Sequence, residues 1–113
     1  MSSPDPAART CDECVPGARP LDETQAAELH GQIDASWERE ANRVIRRVFT
    51  FPNFRGPFAL ATQIALLAES QGHHPDLEVS WGKLVVTFTT HHAGGLTKND
   101  FIMAAKIDGF AQP

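Results

Sequence analysis

A chain of 113 residues suits one domain with a single core, which at this size buries roughly two thirds of the unfolded surface. Apolar residues at 42% and charged residues at 21% exclude a disordered or fibrous chain. A net charge of −4, with one short basic group of Arg43, Arg46 and Arg47 read as a solvated strand face, argues against a nucleic-acid surface.

No apolar run approaches the roughly 20 residues of a membrane span, and the first residues lack the apolar centre of a signal peptide, so a cytoplasmic protein is expected. Residues 1–20 carry Pro4, Pro6, Pro16, Pro20 and Gly17, which deny regular hydrogen bonding and mark a flexible leader. Cys11 and Cys14 lie in it. A cytosolic setting favours reduced thiols; the alternative is zinc completed by His30 or by a second subunit, since one C-x-x-C is half a site.

The folded domain is expected over residues 21–113. Asp22 with Gln25 resembles a capping box, and Ala26, Leu29 and Ile33 recur at helical spacing, which predicts a helix from Asp22 to about Ile33. Trp37 then precedes a charged turn at Glu38, Arg39, Glu40 and Asn42, with a further strand placed near Ser36-Trp37. From Arg43 to Phe51 the pattern alternates: Ile45, Phe49 and Phe51 share a face with Arg47, while Arg46, Val48 and Thr50 take the other. Pro57 suits a first helical turn. Phe58 to Ser70 follows with Leu60, Ala61, Ile64, Ala65, Leu67 and Ala68, predicting the central buried helix, capped by a left-handed Gly72.

Leu77, Val79 and Trp81 alternate with Glu78 and Ser80, Gly82-Lys83 supplies a turn, and Leu84 to Thr90 returns, carrying His91 to the strand end. Thr97 with Asp100 makes a second capping box for a last helix, with Phe101, Ile102, Ala104, Ala105 and Ile107, stopped by Gly109. The expected fold is α+β: two layers, a four-stranded antiparallel sheet with three helices on one face.

Four of the five histidines fall in two short segments, His73-His74-Pro75 after Glu69 and His91-His92. A helix C-terminus and a hairpin end can bring His73, His74 and His91 to one rim. Imidazoles there can exchange protons near neutrality or bind a metal, or the segment is a polar loop before a strand. Metal is the weaker reading, because no i, i+4 histidine pair is present. Asp100 is accounted for by capping, Glu69 by helix surface, Trp81 by hairpin packing and His92 by exposure.

The set Glu69, His73-His74-Pro75, Trp81, Thr90-His91, Gly95-Leu96-Thr97 and Asp100 resembles the pterin-4a-carbinolamine dehydratase family in identity and spacing. The likeness extends through Arg47-x-Phe49-x-Phe51, Asn53-Phe54 and Asp100 to Asp108, and the Cys11 and Cys14 leader is similar to that of bacterial members. The resemblance implies loss of water from a 4a-hydroxytetrahydropterin to give quinonoid dihydropterin, which returns tetrahydropterin to an aromatic amino-acid hydroxylase. It implies His73 and His91 as acid–base pair, His74 assisting and binding substrate, Glu69 orienting His73, and Asp100 holding His91 or the pterin. Trp81 would support the site. No metal, organic cofactor, nucleic acid or membrane is implied; a homodimer or homotetramer is. Other relatives implied by the resemblance act without catalysis, as transcriptional coactivators or assembly factors.

Overall fold

The structure, a computed structural model, describes residues 19–110. The expected leader, with Cys11 and Cys14, thus lies almost wholly outside the described residues. Chain order is α1 (Glu23–His30), β1 (Glu38–Glu40), β2 (Val44–Thr50), α2 (Arg55–Gln71), β3 (Asp76–Ser80), β4 (Lys83–Phe88), a 3-10 turn (His91–Ala93) and α3 (Lys98–Phe110). The strands form one antiparallel sheet in the order β1-β2-β4-β3.

Alternation along the two central strands decides which face the helices cover. Ile45 and Phe49 of β2, with Leu84, Val86 and Phe88 of β4, are buried and join residues of all three helices in one core. A fully buried Phe or Leu side chain contributes about 1.5–3 kcal/mol, so this face fixes the layer packing. Register is equally constrained, because slipping β4 by one residue would turn those three side chains to the outer face.

The helices differ from expectation in length and burial. The Asp22 carboxylate accepts from Gln25 N at 2.8 Å and the Gln25 side chain accepts from Asp22 N at 3.1 Å, the anticipated box. Helix α1 nevertheless stops at His30, and Ile33 reaches the core from the loop beyond. His30 turns its Nε2 to the Trp37 carbonyl oxygen at 2.7 Å, while the cysteines that could share a metal with it lie outside the described residues. Helix α2 buries only one stripe, Pro57, Leu60, Ala61, Ile64 and Ala68, while Phe58 and Leu66 face outward. The centrally buried helix is instead α3, buried on every side from Asn99 to Ala105. Small Ala104 and Ala105 admit close neighbours, and the helix continues through Gly109 to Phe110.

Three local corrections follow from backbone geometry. Glu38–Glu40, expected as a turn, is the edge strand β1, and the reversal comes at Ala41 with φ of 52°. The hairpin turns at Trp81-Gly82, one residue early, with Ser80 paired to Lys83. Gly82 has φ of 73°, its N–H donates to Asn53 O and its carbonyl accepts from Phe51 N, which pins the turn to the β2–α2 connection. Arg47 is not on a solvated face: its guanidinium lies 4.4 Å from the Phe49 ring centroid and donates to Asp108 Oδ1 at 2.7 Å. Asp108 also accepts from Trp37 Nε1 and Asp34 N, tying α3 to β2 and to the α1–β1 loop. No described helix is long and apolar enough to cross a membrane.

Candidate active site

Gly72 ends α2 with φ of 68°, the left-handed region that favours glycine, and its N–H donates to Ala68 O. The chain then turns so that consecutive side chains diverge. His73 goes inward, 6% exposed, and stacks on Phe88 with ring centroids 5.8 Å apart. Its Nε2 lies 2.7 Å from Asp100 Oδ1. His74 goes outward, where its Nε2 lies 2.8 Å from Glu69 Oε1 with both side chains exposed.

Asp100 belongs to the first turn of α3 and is wholly buried. Its Oδ2 accepts from Thr97 N at 2.9 Å and from Thr90 Oγ1 at 2.8 Å. Thr97 completes only half of the expected capping box, because its hydroxyl lies 2.8 Å from Thr90 Oγ1 rather than turning to its own helix.

The second arm of the site is the end of β4. The strand stops at Phe88, so His91 is carried beyond it on the 3-10 turn. Thr90 N donates to Gly95 O at 3.3 Å, and Gly94, with φ of 80°, donates back to His91 O. These bonds hold the His91 and His92 backbone while both side chains remain exposed. A cavity of about 370 Å³ lies between the arms, lined by Gly72, His73, His74, Thr89, Thr90, His91 and His92. A neighbouring hollow of about 340 Å³ shares Thr89 and His91 and adds Arg43, Val44 and Gly94.

The structure thus brings together His73, His74 and His91 and revises their supports. Glu69 pairs with His74 rather than His73, because α2 has already ended when the chain reaches His73. Asp100 holds His73 rather than His91. Trp81 is 71% exposed rather than packed, and it sits at the far end of β4. Six strand residues at about 3.3 Å each put it on the order of 20 Å from the cavity. His92 is exposed as expected, yet it lines the cavity. Residue types alone did not single out the Thr90 and Thr97 hydroxyls; the signal available was Thr97 three residues before Asp100.

A larger hollow of about 560 Å³ lies over β2, lined mainly by Phe49, Phe51, Leu60 and Phe110 with Arg47. Its one cation is committed to Asp108, so it offers no proton-transfer set, and chemistry rather than volume selects the histidine cavity. Among the described residues no three His, Cys, Asp or Glu side chains converge as a metal-ligand group.

Residues 19–110 match the family model for pterin 4 alpha carbinolamine dehydratase. A protein of Legionella pneumophila, provisionally named a pterin-4-alpha-carbinolamine dehydratase, is 43% identical over 105 residues, covering 92% of this chain and 93% of its own. A similarly named protein of Rickettsia bellii is 39% identical over 100 residues, 88% of each chain. A crystal structure from Brucella melitensis, described as a transcriptional coactivator/pterin dehydratase, superposes with a TM-score of 0.76 at 33% identity. It covers 83% of this chain and 100% of that one.

Proposed function

Because the chain belongs to the pterin 4 alpha carbinolamine dehydratase family, we propose that it removes water from a 4a-hydroxytetrahydropterin by imidazole acid–base catalysis, with neither metal nor organic cofactor. The observation that carries this reading is the meeting of His73, His74 and His91 at one cavity in a chain of that family.

Hydroxide is a poor leaving group, so one imidazolium donates a proton to the 4a-hydroxyl as the carbon–oxygen bond breaks, and water departs. A ring nitrogen gives its proton to a second imidazole, and the electron pair of that N–H bond becomes the new carbon–nitrogen double bond. The product is the quinonoid dihydropterin, and solvent returns the proton from base to acid. His73 and His91 divide the two transfers. His73, fixed by Asp100 and stacked on Phe88, is the rigid member; His91, on its exposed turn, is the accessible one. His74, steadied by Glu69, binds the pterin and assists. The same reading puts the reaction in the cytoplasm, recycling tetrahydropterin for an aromatic amino-acid hydroxylase.

A coupled hydroxylase assay that follows decay of the carbinolamine tests it. General acid–base groups contribute roughly 100- to 10,000-fold each, so the His73→Ala/His91→Ala double variant is expected to lose all measurable acceleration. Undiminished activity in that variant would remove the assignment. The coactivator description of the Brucella melitensis neighbour favours a second reading, a binding role for the same fold. Wild-type protein without dehydratase activity would select it.

A further inference from the structure

We propose that the hydroxyl groups of Thr90 and Thr97 act through Asp100 to fix the tautomer of His73, with the proton on Nε2 and the basic lone pair on Nδ1. The catalytic value of this rests on the acid–base reading above; the tautomer does not.

All four side chains are at least nine-tenths buried, so their mutual bonds are not replaced by bulk water. Directions along the chain follow from what each group can do. Thr97 N–H can only donate, and it donates to Asp100 Oδ2. The Thr90 hydroxyl also donates to Oδ2, which leaves its oxygen to accept from the Thr97 hydroxyl. Two donors thus occupy Oδ2 and turn Oδ1 toward His73 as an acceptor, so the ring nitrogen facing it, Nε2, carries hydrogen. In the imidazolium both nitrogens are protonated, and the proton that comes and goes is then the one on Nδ1. The Asp-to-His bond sets this orientation without itself taking the proton.

Threonine suits these positions better than serine, because branching at Cβ restricts χ1 and so aims the hydroxyl. Thr90 also serves the second histidine. Its N–H donates to Gly95 O and it immediately precedes the 3-10 turn that begins with His91. One residue therefore reaches His73 through its side chain and His91 through its main chain. Thr90 and Thr97 are positioning residues, since neither hydroxyl is assigned a proton of the substrate.

Thr90→Val keeps the branched shape and removes the hydroxyl. The expected result is a fall in kcat of about tenfold or more with KM nearly unchanged, largely restored in Thr90→Ser. Long-range proton–nitrogen NMR spectra of the substrate-free protein should show His73 protonated at Nε2 in the wild type and a mixture of tautomers in Thr90→Val. Unchanged kcat with an unchanged tautomer in Thr90→Val overturns the proposal, as does a rise in KM alone. Should Thr90→Val fail to fold, Thr97→Val removes only the outer hydroxyl and must move both readouts in the same direction, if less far; no movement overturns the proposal. The spectra need no turnover, so a wild type without dehydratase activity refutes the functional reading while the tautomer still decides this one.

Discussion

Asp100 has no exposed surface and its carboxylate accepts from His73, Thr90 and Thr97, so each of these side-chain contacts is made to a donor. Replacing one carboxylate oxygen by an amide NH2 sets donor against donor at one of those contacts. Asp100→Asn is therefore expected to cost about 1–3 kcal/mol, read from the shift of a urea unfolding midpoint, and to lower dehydratase activity beyond what the stability loss explains. Glu69 is the contrasting residue. Its pairing with His74 is exposed on both sides and is worth at most about 1 kcal/mol. The histidine cluster was legible in the sequence because its members sit next to helix and strand ends recognisable from Gly72 and from hairpin alternation. The partners of those histidines were not. The turn at Gly72 exchanges inside for outside between His73 and His74, and that rotation decides which carboxylate each ring meets.

Among the elements, strong periodicity or a capping residue made a segment readable: the Asp22–Gln25 box, the alternation of β2, the left-handed Gly72 and the Leu84, Val86, Phe88 face all reappear in the structure. Strand β1 lacked such a signal, since Glu38-Arg39-Glu40 has no apolar member and is held by pairing to β2. The burial of α3 was equally hidden, because Asn99 and Asp100 are polar residues enclosed by neighbouring elements. Arg47 was readable in part: the alternation of β2 puts it on the Ile45 and Phe49 face, but its partner Asp108 lies 61 residues away. The tie that Arg47 and Asp108 make extends to Asp34. The Ser36 backbone N–H, then the Ser36 hydroxyl and the nearby Arg47 charge, hold the Asp34 carboxyl below its ordinary range against the opposing effect of burial. A carboxyl lowered on folding adds stability above its unfolded pKa of about 4 and loses it as pH falls through the folded value. The stability gap between wild type and Asp34→Asn should thus be full at neutral pH and shrink in more acid solution. Urea midpoints for both proteins on either side of that range check the sign.

For the molecule as a whole, β4 separates two ends of different character. One end carries the imidazole cavity; the other carries exposed Trp81, next to edge strand β3 with exposed Val79, on the turn whose Gly82 bonds Asn53 just before the exposed Phe54 and its ring partner Phe58. Unpaired edge groups and exposed aromatics are both satisfied by a second copy of the chain, so association is predicted at that end rather than at the cavity. Sedimentation should give a mass above that of one chain. In a Trp37→Phe background, where Trp81 is the remaining tryptophan, dilution should shift its emission to the red as the surface becomes wet. Emission that stays constant through dissociation would show that Trp81 lies outside the contact.

The carboxylate that anchors His73 has a further consequence for the order in which the molecule is made. Asp100 lies 27 residues after His73 and is held by α3, the last element described. During synthesis His73, His74 and His91 leave the ribosome before the acid that aligns the first of them, so an arrested chain can hold every imidazole and still lack the aligned ring. On the acid–base reading, dehydratase activity would report that the C-terminal helix has been completed and docked, and a product truncated before Asp100 is expected to be inactive.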